Sequence, residues 1–245
     1  MGTVITLDIR DREVPDDAVD EAVAWFHQVD ATFSTYRPES EISRISRGEL
    51  SRTECSAEMR EVLGLCVEVT RRSGGCFDIH LGGRLDPSGL VKGWSVQRAA
   101  EILQASGARN FFIGAGGDIV TRGSPAGEPC WRVGIRHPEF ADRVAAVLEA
   151  GDLAVATSGA YERGEHIVDP RTGRPPTGLL SLTVAGPSLT YADAFATAAF
   201  VMGEEGPAWV AGIDGYAALA ITGDGRMVWT PGMDALLAGS APAPR

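Results

Sequence analysis

Pairs of β-prone segments separated by a tight turn recur along this chain of 245 residues. The segments AALAIT and RMVWT flank Gly223-Asp224-Gly225, and an Asp-Gly turn tolerates the positive φ that a short hairpin requires. A strand from Arg109 to Ile113 runs into GAGGD, and residues 131–157 are predicted to form strands around Gly151-Asp152. Because helical segments stand between such hairpins and do not follow each strand, the pattern predicts an α+β fold and not a doubly wound parallel sheet.

The helical segments are marked by apolar residues at helical spacing. The first is predicted to follow Pro15, with Asp16 or Asp17 as its N-cap, the second to run from about Ser56 to Ser73, and the third to begin near Trp94. The apolar stripe of the first consists of Val19, Ala22, Val23, Phe26, Val29 and Phe33. Residues 34–52 have no sustained period and are predicted to form a loop with short turns. Residues 143–150, RVAAVLEA, fit a strand but also a helix.

Four further segments complete the pattern of elements. TVITLDIR near the N-terminus and LLSLTVAG are predicted strands, the segment around YADAFATAAF is a predicted helix, and GPAWVAGI fits a short helix. No fixed-period repeat and no Ser/Gly-rich or Pro-rich linker divides the sequence. The sequence therefore predicts one domain over residues 1–239 and a flexible tail, SAPAPR, over residues 240–245.

The charge balance limits the possible partners. Lys plus Arg number 22 and Asp plus Glu number 33, a formal net charge of −11, and such a charge repels nucleic acid and anionic lipid. An anionic ligand would therefore need local cations or a metal ion. No secretory signal or membrane span is evident, and the four cysteines have no paired spacing, so we predict a cytoplasmic protein without membrane insertion.

Asp193 and Thr197 lie four residues apart in an otherwise small and apolar helix. They would share one helical face, where their oxygen atoms would suit Mg²⁺. An alternative is purely structural: Thr190 as N-cap with Asp193 three residues later fits a capping box, and Thr197 could bond to a carbonyl of its own helix.

Lys92, in GLVKGWSV, would lie just ahead of the third helix if that helix begins near Trp94. An ammonium and free backbone N–H groups would then meet at one point, as in phosphate sites, although an exposed loop lysine is the simpler interpretation. Neither glycine-rich stretch is a nucleotide motif: GAGGDI lacks the third Rossmann glycine, and GRPPTG lacks the Lys-Ser/Thr of a P-loop.

The loop around His166 is dense in polar side chains and glycines. Ser158, His166 and Asp169 could in principle form a hydrolase triad, but no G-x-S-x-G elbow is present. Asp78 and His80 are spaced i, i+2, which is weak support for a metal site.

Taken together, these stretches resemble the ApbE family of FAD:protein FMN transferases, in family order and over nearly the whole chain. The resemblance implies an α+β, T-fold-like architecture. It also implies Mg²⁺-dependent cleavage of FAD, transfer of FMN to a Thr or Ser hydroxyl of an acceptor protein, and release of AMP. The matching motifs are MGT, FSTYRPESEISRI, GGCFDIH, GLVKGWSVQRAAEIL, NFFIGAGGDI, AVATSGAYERGEHIVDPRTGRPP and ADAFATA.

The same resemblance implies roles for individual residues. Asp193 and Thr197 match the magnesium ligands, with the backbone carbonyl of Val91 as a third. Tyr36 matches an aromatic residue beside the isoalloxazine ring, and His166 matches the base toward the acceptor hydroxyl and a position near FAD. Catalytic roles fall to His166, Lys92 and Asp193. The remaining positions matching the FAD cleft are Asp78, Lys92, Asp118, Ser158, Gly159 and Tyr161.

The chain departs from the family pattern at Ser46, Ile79-His80, Gln97 and Ala160, and the insertion between YER and HI is nearly absent. These departures leave two alternatives to the transferase. One is an FAD pyrophosphatase in which water attacks and FMN and AMP are released. The other is a protein that binds FAD without turnover.

Overall fold

The structure, a computed structural model, describes residues 3–81, 84–159 and 167–239. In the described residues the helices are α1 (Asp16–Phe33), α2 (Glu41–Ser46), α3 (Ala57–Arg72), α4 (Ser88–Ala105), α5 (Leu189–Met202), α6 (Gly206–Ala211) and α7 (Pro231–Asp234), with a 3₁₀ turn at Gly203–Glu205. The strands are β1 (Ile5–Ile9), β2 (His80–Leu81), β3 (Arg84–Leu85), β4 (Phe111–Ala115), β5 (Asp118–Arg122), β6 (Trp131–Arg136), β7 (Val144–Ala150), β8 (Leu153–Gly159), β9 (Leu179–Gly186), β10 (Ala217–Thr222) and β11 (Met227–Trp229).

Seven of the described strands form one sheet in the order β1-β4-β5-β8-β9-β10-β11, and every neighbouring pair is antiparallel. The predicted hairpin at Gly223-Asp224-Gly225 is confirmed as β10–β11. The strand predicted to run into GAGGD is β4, which pairs with β5 across that turn. Gly225 has a φ of 82°, as the turn requires. The α+β fold predicted from the hairpin pattern is confirmed.

Each face of the sheet is covered by a different layer, because successive strand residues point to opposite sides. On one face, Ala154, Ala156 and Val184 join a core formed with the helices. On the other, Val155 and Leu219 pack with the β6–β7 hairpin and Met233 of α7. The ambiguous segment RVAAVLEA is a strand, since β7 pairs antiparallel with β6 and buries Leu148 within this second layer.

α5 is buried on almost every side. Eleven of its fourteen residues are buried, because the helix packs between α4 and the sheet strands β8 and β9. This position explains its composition, since only small and apolar side chains fit a helix enclosed all round. It also means that Asp193, at 3% exposure, needs a compensating partner inside the protein.

Two local predictions were wrong. Asp16 and Asp17 lie in the first turn of α1, Pro15 is the N-cap, and no side chain in the described part of the chain caps that end. Residues 34–52 contain α2, whose N-cap Ser40 accepts a hydrogen bond from the backbone N–H of Ser43. The short helix buries Ile42 completely.

No described helix has the length and hydropathy needed to cross a bilayer. The proposed extent of the domain, residues 1–239, stays a prediction, and the proposed tail, residues 240–245, lies outside the described residues.

Asp11 joins the end of β1 to the start of β4, the strand that leads to Asp118. Its carboxylate accepts hydrogen bonds from the backbone N–H groups of Arg109 at 2.8 Å and Asn110 at 2.7 Å, and from the Asn110 side chain. Burial raises the pKa of Asp11, but these hydrogen bonds outweigh burial and lower it below 3.8. The carboxylate form therefore stabilises the fold.

We expect Asp11→Ala to reduce the free energy of unfolding by about 1–2 kcal/mol, the size of hydrogen bonds to a charged group that is partly exposed. The pKa is depressed on folding, so this stabilisation is present above the unfolded-state pKa and disappears as the pH falls through the folded-state value. The difference in the free energy of unfolding between the wild type and Asp11→Ala, measured by urea unfolding at neutral and acidic pH, should thus shrink below pH 3.8. Asp20→Ala, on the exposed face of α1, serves as control, and an equal effect from it would refute this role for Asp11.

Candidate active site

Lys92 enters the candidate site from inside α4. The prediction that the helix begins near Trp94 was wrong, because α4 begins at Ser88 and the backbone N–H of Val91 already donates to the carbonyl of Pro87 at 2.9 Å. Lys92 is thus in the second turn and does not precede a free helix terminus. Its charge, and not the start of a helix, is what it contributes to the site.

Lys92 lies between two buried carboxylates. Its Nζ is 2.8 Å from Oδ2 of Asp118 at the start of β5, and 3.5 Å from Oδ1 of Asp193 on α5. Asp118 Oδ1 also accepts the backbone N–H of Thr157 on β8 at 3.2 Å. Asp193 Oδ2 accepts the backbone N–H of Gly93 at 2.9 Å. The side chains of Asp118 and Asp193 are 0% and 5% exposed, so two strands and two helices converge on one enclosed charge cluster.

The cluster has one ammonium for two carboxyl groups. Burial raises the pKa of Asp118 and of Asp193 above the usual range, while Lys92 opposes that rise. The charge of Asp118 raises the pKa of Asp193 further. With both carboxylates ionised the cluster carries a net negative charge, and a further cation in the cleft would stabilise it.

Two glycines of α4 allow α5 to approach closely. A Cβ on Gly93 would overlap the backbone carbonyl oxygen of Leu189 and would lie 2.7 Å from Cβ of Asp193. A Cβ on Gly89 would lie 3.3 Å from the Phe77 ring and 3.6 Å from Thr197 Oγ1. The two glycines of GLVKG do not belong to a loop but mark a helix face in contact with a second backbone.

We expect Gly93→Ala to lower the free energy of unfolding by about 1–3 kcal/mol, because the added methyl group forces α4 and α5 apart. Urea unfolding would measure the change. Gly64→Ala is the matched control, since Gly64 is in the middle of α3 with no atom near its Cβ position, and we expect it to stabilise by up to about 1 kcal/mol. If both variants gained stability, the close helix contact would be disproved.

Asp193 does not belong to a capping box. α5 begins at Leu189 with Ser188 as N-cap, so Thr190 and Asp193 are both inside the helix, and the capping-box alternative is wrong. Thr197 Oγ1 is one turn further along and lies 3.4 Å from Ser158 Oγ at the end of β8. Asp193, Thr197 and Ser158 all line one cleft.

The oxygen atoms in this cleft fit a magnesium ion. Asp193 Oδ1 is 3.5 Å from Lys92 Nζ, and Thr197 and Val91 line the same cleft as Asp193. No group of three or more His, Cys, Asp or Glu side chains in the described residues could hold a metal. Mg²⁺ does not need such a group, because it is usually held by one or two carboxylates together with water and ligand phosphates.

The cleft has a volume of about 220 Å³ and adjoins a second cavity of about 560 Å³. Thr35, Tyr36 and Asp86 line both, and Tyr36 is 94% exposed at their common border. The structure brings most of the predicted site residues to the cleft, although their roles stay predictions. Those lining it are Tyr36, Asp78, Val91, Lys92, Ser158, Gly159, Asp193 and Thr197.

Asp118 lies beneath the cleft, in contact with it through Lys92. His166 and Tyr161, like Ala160, lie outside the described residues. Ile167 and Pro170, which follow them in the sequence, line the cleft.

The possible triad of Ser158, His166 and Asp169 stays a prediction, because His166 lies outside the described residues. The carboxylate of Asp169 accepts two hydrogen bonds from the Arg171 guanidinium, at 2.9 and 3.1 Å. Ser158 is near Thr197. Both groups therefore have other partners.

Two of the departures from the family pattern make local contacts. Asp78 Oδ1 accepts hydrogen bonds from the backbone N–H and the Nδ1 of His80, at 2.9 and 2.8 Å. Ser46 Oγ accepts the backbone N–H of Leu85 at 3.2 Å. His80 thus orients a carboxylate of the cleft, while Ser46 joins α2 to β3.

Comparison with known proteins gives consistent matches. The profile of the ApbE family matches residues 1–83 and 80–220. A curated FAD:protein FMN transferase of Vibrio cholerae is 40% identical over 131 residues, covering 49% of this chain and 39% of that protein. One of Rhodobacter capsulatus is 39% identical over 173 residues, covering 66% and 33%. These matches therefore span well under half of either relative.

The fold is also similar to solved structures. The flavin transferase ApbE of Vibrio cholerae superimposes with a TM-score of 0.83 at 25% identity, covering 98% of this chain and 95% of that one. The seven-stranded sheet and its helical layer are thus an architecture already observed in that structure.

Proposed function

Because this chain belongs to the ApbE family, we propose that it is a Mg²⁺-dependent FAD:protein FMN transferase. It would join the FMN half of FAD to a Thr or Ser hydroxyl of an acceptor protein and release AMP. The curated relatives carry the name FAD:protein FMN transferase. The observation that carries the proposal is the enclosed cluster in which Asp193, on the same helix face as Thr197, meets Lys92 and Asp118.

The charges of the cleft suit a dinucleotide pyrophosphate. In a protein of net charge −11, an anionic ligand must be met by local cations, and Lys92 provides one. Asp193, Thr197 and the Val91 carbonyl would hold Mg²⁺, which would supply further positive charge for the phosphates. The two adjoining cavities on either side of Tyr36 suit a ligand with two ring systems.

The reaction would be an in-line displacement at phosphorus. The acceptor hydroxyl oxygen forms a bond to the FMN phosphorus, and the bond from that phosphorus to the AMP oxygen breaks. His166 would accept the hydroxyl proton, a role that an imidazole can fill near neutral pH. Lys92 would neutralise the charge that develops on the departing AMP.

The direct test is to incubate the protein with FAD, Mg²⁺ and a candidate acceptor peptide. We expect stoichiometric AMP release. The mass of the peptide should increase by that of one FMN less one water, on a Thr or Ser. Release of FMN and AMP without any labelled peptide would instead show a pyrophosphatase. Tight FAD binding with no AMP at all would show a protein without turnover.

We expect His166→Ala to bind FAD as the wild type does but to label the acceptor about 10²–10⁴ times more slowly, the usual contribution of a general base. Fluorescence titration would measure FAD affinity, and mass spectrometry would measure labelling. Labelling at the wild-type rate would remove His166 from the mechanism. A cytoplasmic location for this reaction stays a prediction.

A further inference from the structure

α4 and α5 meet at three levels that are one helical turn apart on each helix. Moving four residues forward along α4 corresponds to moving four residues back along α5, so the two helices run antiparallel at this contact. We call this arrangement the α4–α5 ladder. Its three rungs are Gly89 opposite Thr197, Gly93 opposite Asp193, and Gln97 opposite Leu189.

The third rung is a hydrogen bond to the first residue of α5. The backbone N–H of Leu189 donates to Oε1 of Gln97 at 3.1 Å. The first N–H groups of a helix have no acceptor within the helix, and among the described residues the side chain of Ser188 does not supply one. Leu189 is fully buried. Gln97 therefore caps α5 from a neighbouring helix.

The other two rungs cannot hold α5 through an α4 side chain, because both α4 residues are glycines. Gly93 contributes only its backbone N–H, which donates to Asp193 Oδ2 at 2.9 Å. Gly89 contributes a close approach to Thr197. The α4 side chain Lys92 also approaches Asp193, at 3.5 Å. Gln97 differs from it because it holds the first backbone N–H of α5, and so opposes a sliding movement of the helix itself.

We propose that Gln97 is a positioning residue for the metal ligands: by capping Leu189 it fixes α5 along α4, and so sets Asp193 and Thr197 against Lys92. This inference rests on the function proposed above. Asp193 is one turn beyond Leu189 and Thr197 two turns beyond, so an axial shift of α5 moves both oxygen donors together. Residues that orient metal ligands in this way typically affect metal affinity or activity by 10–100-fold.

The test compares Gln97→Met, which keeps the length of the side chain but removes the oxygen acceptor, with Gln97→Glu, which keeps an oxygen acceptor. Glu101→Ala is the matched control, since it removes the partner of the Gln97 Nε2 donor, 3.3 Å away, and an exposed contact to Arg98, but keeps the Gln97 oxygen that accepts from Leu189. Each protein is titrated with Mn²⁺ in the presence of FAD and without acceptor, and free Mn²⁺ is measured by electron paramagnetic resonance. Urea unfolding without metal is measured in parallel.

We expect Gln97→Met to weaken Mn²⁺ binding by about 10-fold and to raise the Mg²⁺ concentration for half-maximal AMP release similarly, with a smaller change in rate at saturating Mg²⁺. Gln97→Glu and Glu101→Ala should bind Mn²⁺ as the wild type does. Unchanged Mn²⁺ affinity in Gln97→Met, with lower stability alone, would reduce Gln97 to a structural cap and overturn the inference while leaving the proposed function intact. Failure of Gln97→Glu to retain affinity would also overturn it. Absence of Mn²⁺ binding in the wild type would overturn the proposed metal site, and the inference with it.

Discussion

We expect Asp193→Asn to lower the rate of Mg²⁺-dependent AMP release by about a thousandfold. A metal ion that stabilises developing charge contributes several kcal/mol to the transition state, and each 1.36 kcal/mol corresponds to a factor of ten in rate. Asparagine keeps an oxygen that can accept the Gly93 N–H but loses the charge that would hold the cation. AMP release at saturating FAD, measured by chromatography over a range of Mg²⁺ concentrations, tests this.

The same variant should remain folded. Burial already disfavours the charged form of Asp193, so a neutral amide in its place costs little in the metal-free protein. Asp20→Asn, on the exposed face of α1, is the control for a mutation from Asp to Asn far from the cleft. Wild-type AMP release from a folded Asp193→Asn protein would eliminate Asp193 as a metal ligand.

Lys92→Met should have the largest effect on stability. Removal of one partner from a buried ion pair leaves an uncompensated charge and costs about 3–5 kcal/mol, and here the Asp118 side chain beside Lys92 is 0% exposed. AMP release should fall as well, by about 10²–10³-fold, the usual effect of losing one electrostatic contact to the transition state. Urea unfolding and AMP release are the two measurements.

A second variant separates the two effects of Lys92. In the double variant Lys92→Met/Asp118→Asn the unpaired carboxylate is gone, so we expect most of the lost stability to return while AMP release stays low. A Lys92→Met protein as stable as the wild type would contradict the buried cluster. Recovery of activity together with stability would show that Lys92 serves only to fold the protein.

The hairpins could be predicted from local sequence, but the order of the seven strands in the sheet and the start of α4 could not. Hairpins such as Gly223-Asp224-Gly225 carry their own turn signal, so strands β10 and β11 could be placed without tertiary information. Gly89 and Gly93 disfavour helix as isolated residues, which concealed the first turns of α4. Their presence there is explained by the approach of α5, a contact between residues a hundred positions apart in the sequence.

The candidate site, too, could be predicted from the sequence only in part. Helical spacing alone placed Asp193 and Thr197 on one face, yet it could not show that this face meets Lys92 and Asp118. The capping-box alternative was equally compatible with the sequence, and only the position of Ser188 as N-cap decided against it. Gln97 stood out in the sequence merely as a departure from the family pattern, since an interhelical cap has no local signature.

The central claim is that a divalent cation seated by Asp193 and Thr197 draws the pyrophosphate of FAD into this acidic protein. Anomalous diffraction at the manganese edge, from crystals grown with FAD and Mn²⁺, tests it most directly. The account predicts one strong peak about 2.0–2.3 Å from Oδ1 of Asp193 and Oγ1 of Thr197, at distances typical of hard cations bound to oxygen, with phosphate oxygens completing its coordination. A flavin-bound crystal with no peak between these two side chains, and with Lys92 alone against the phosphates, would contradict it.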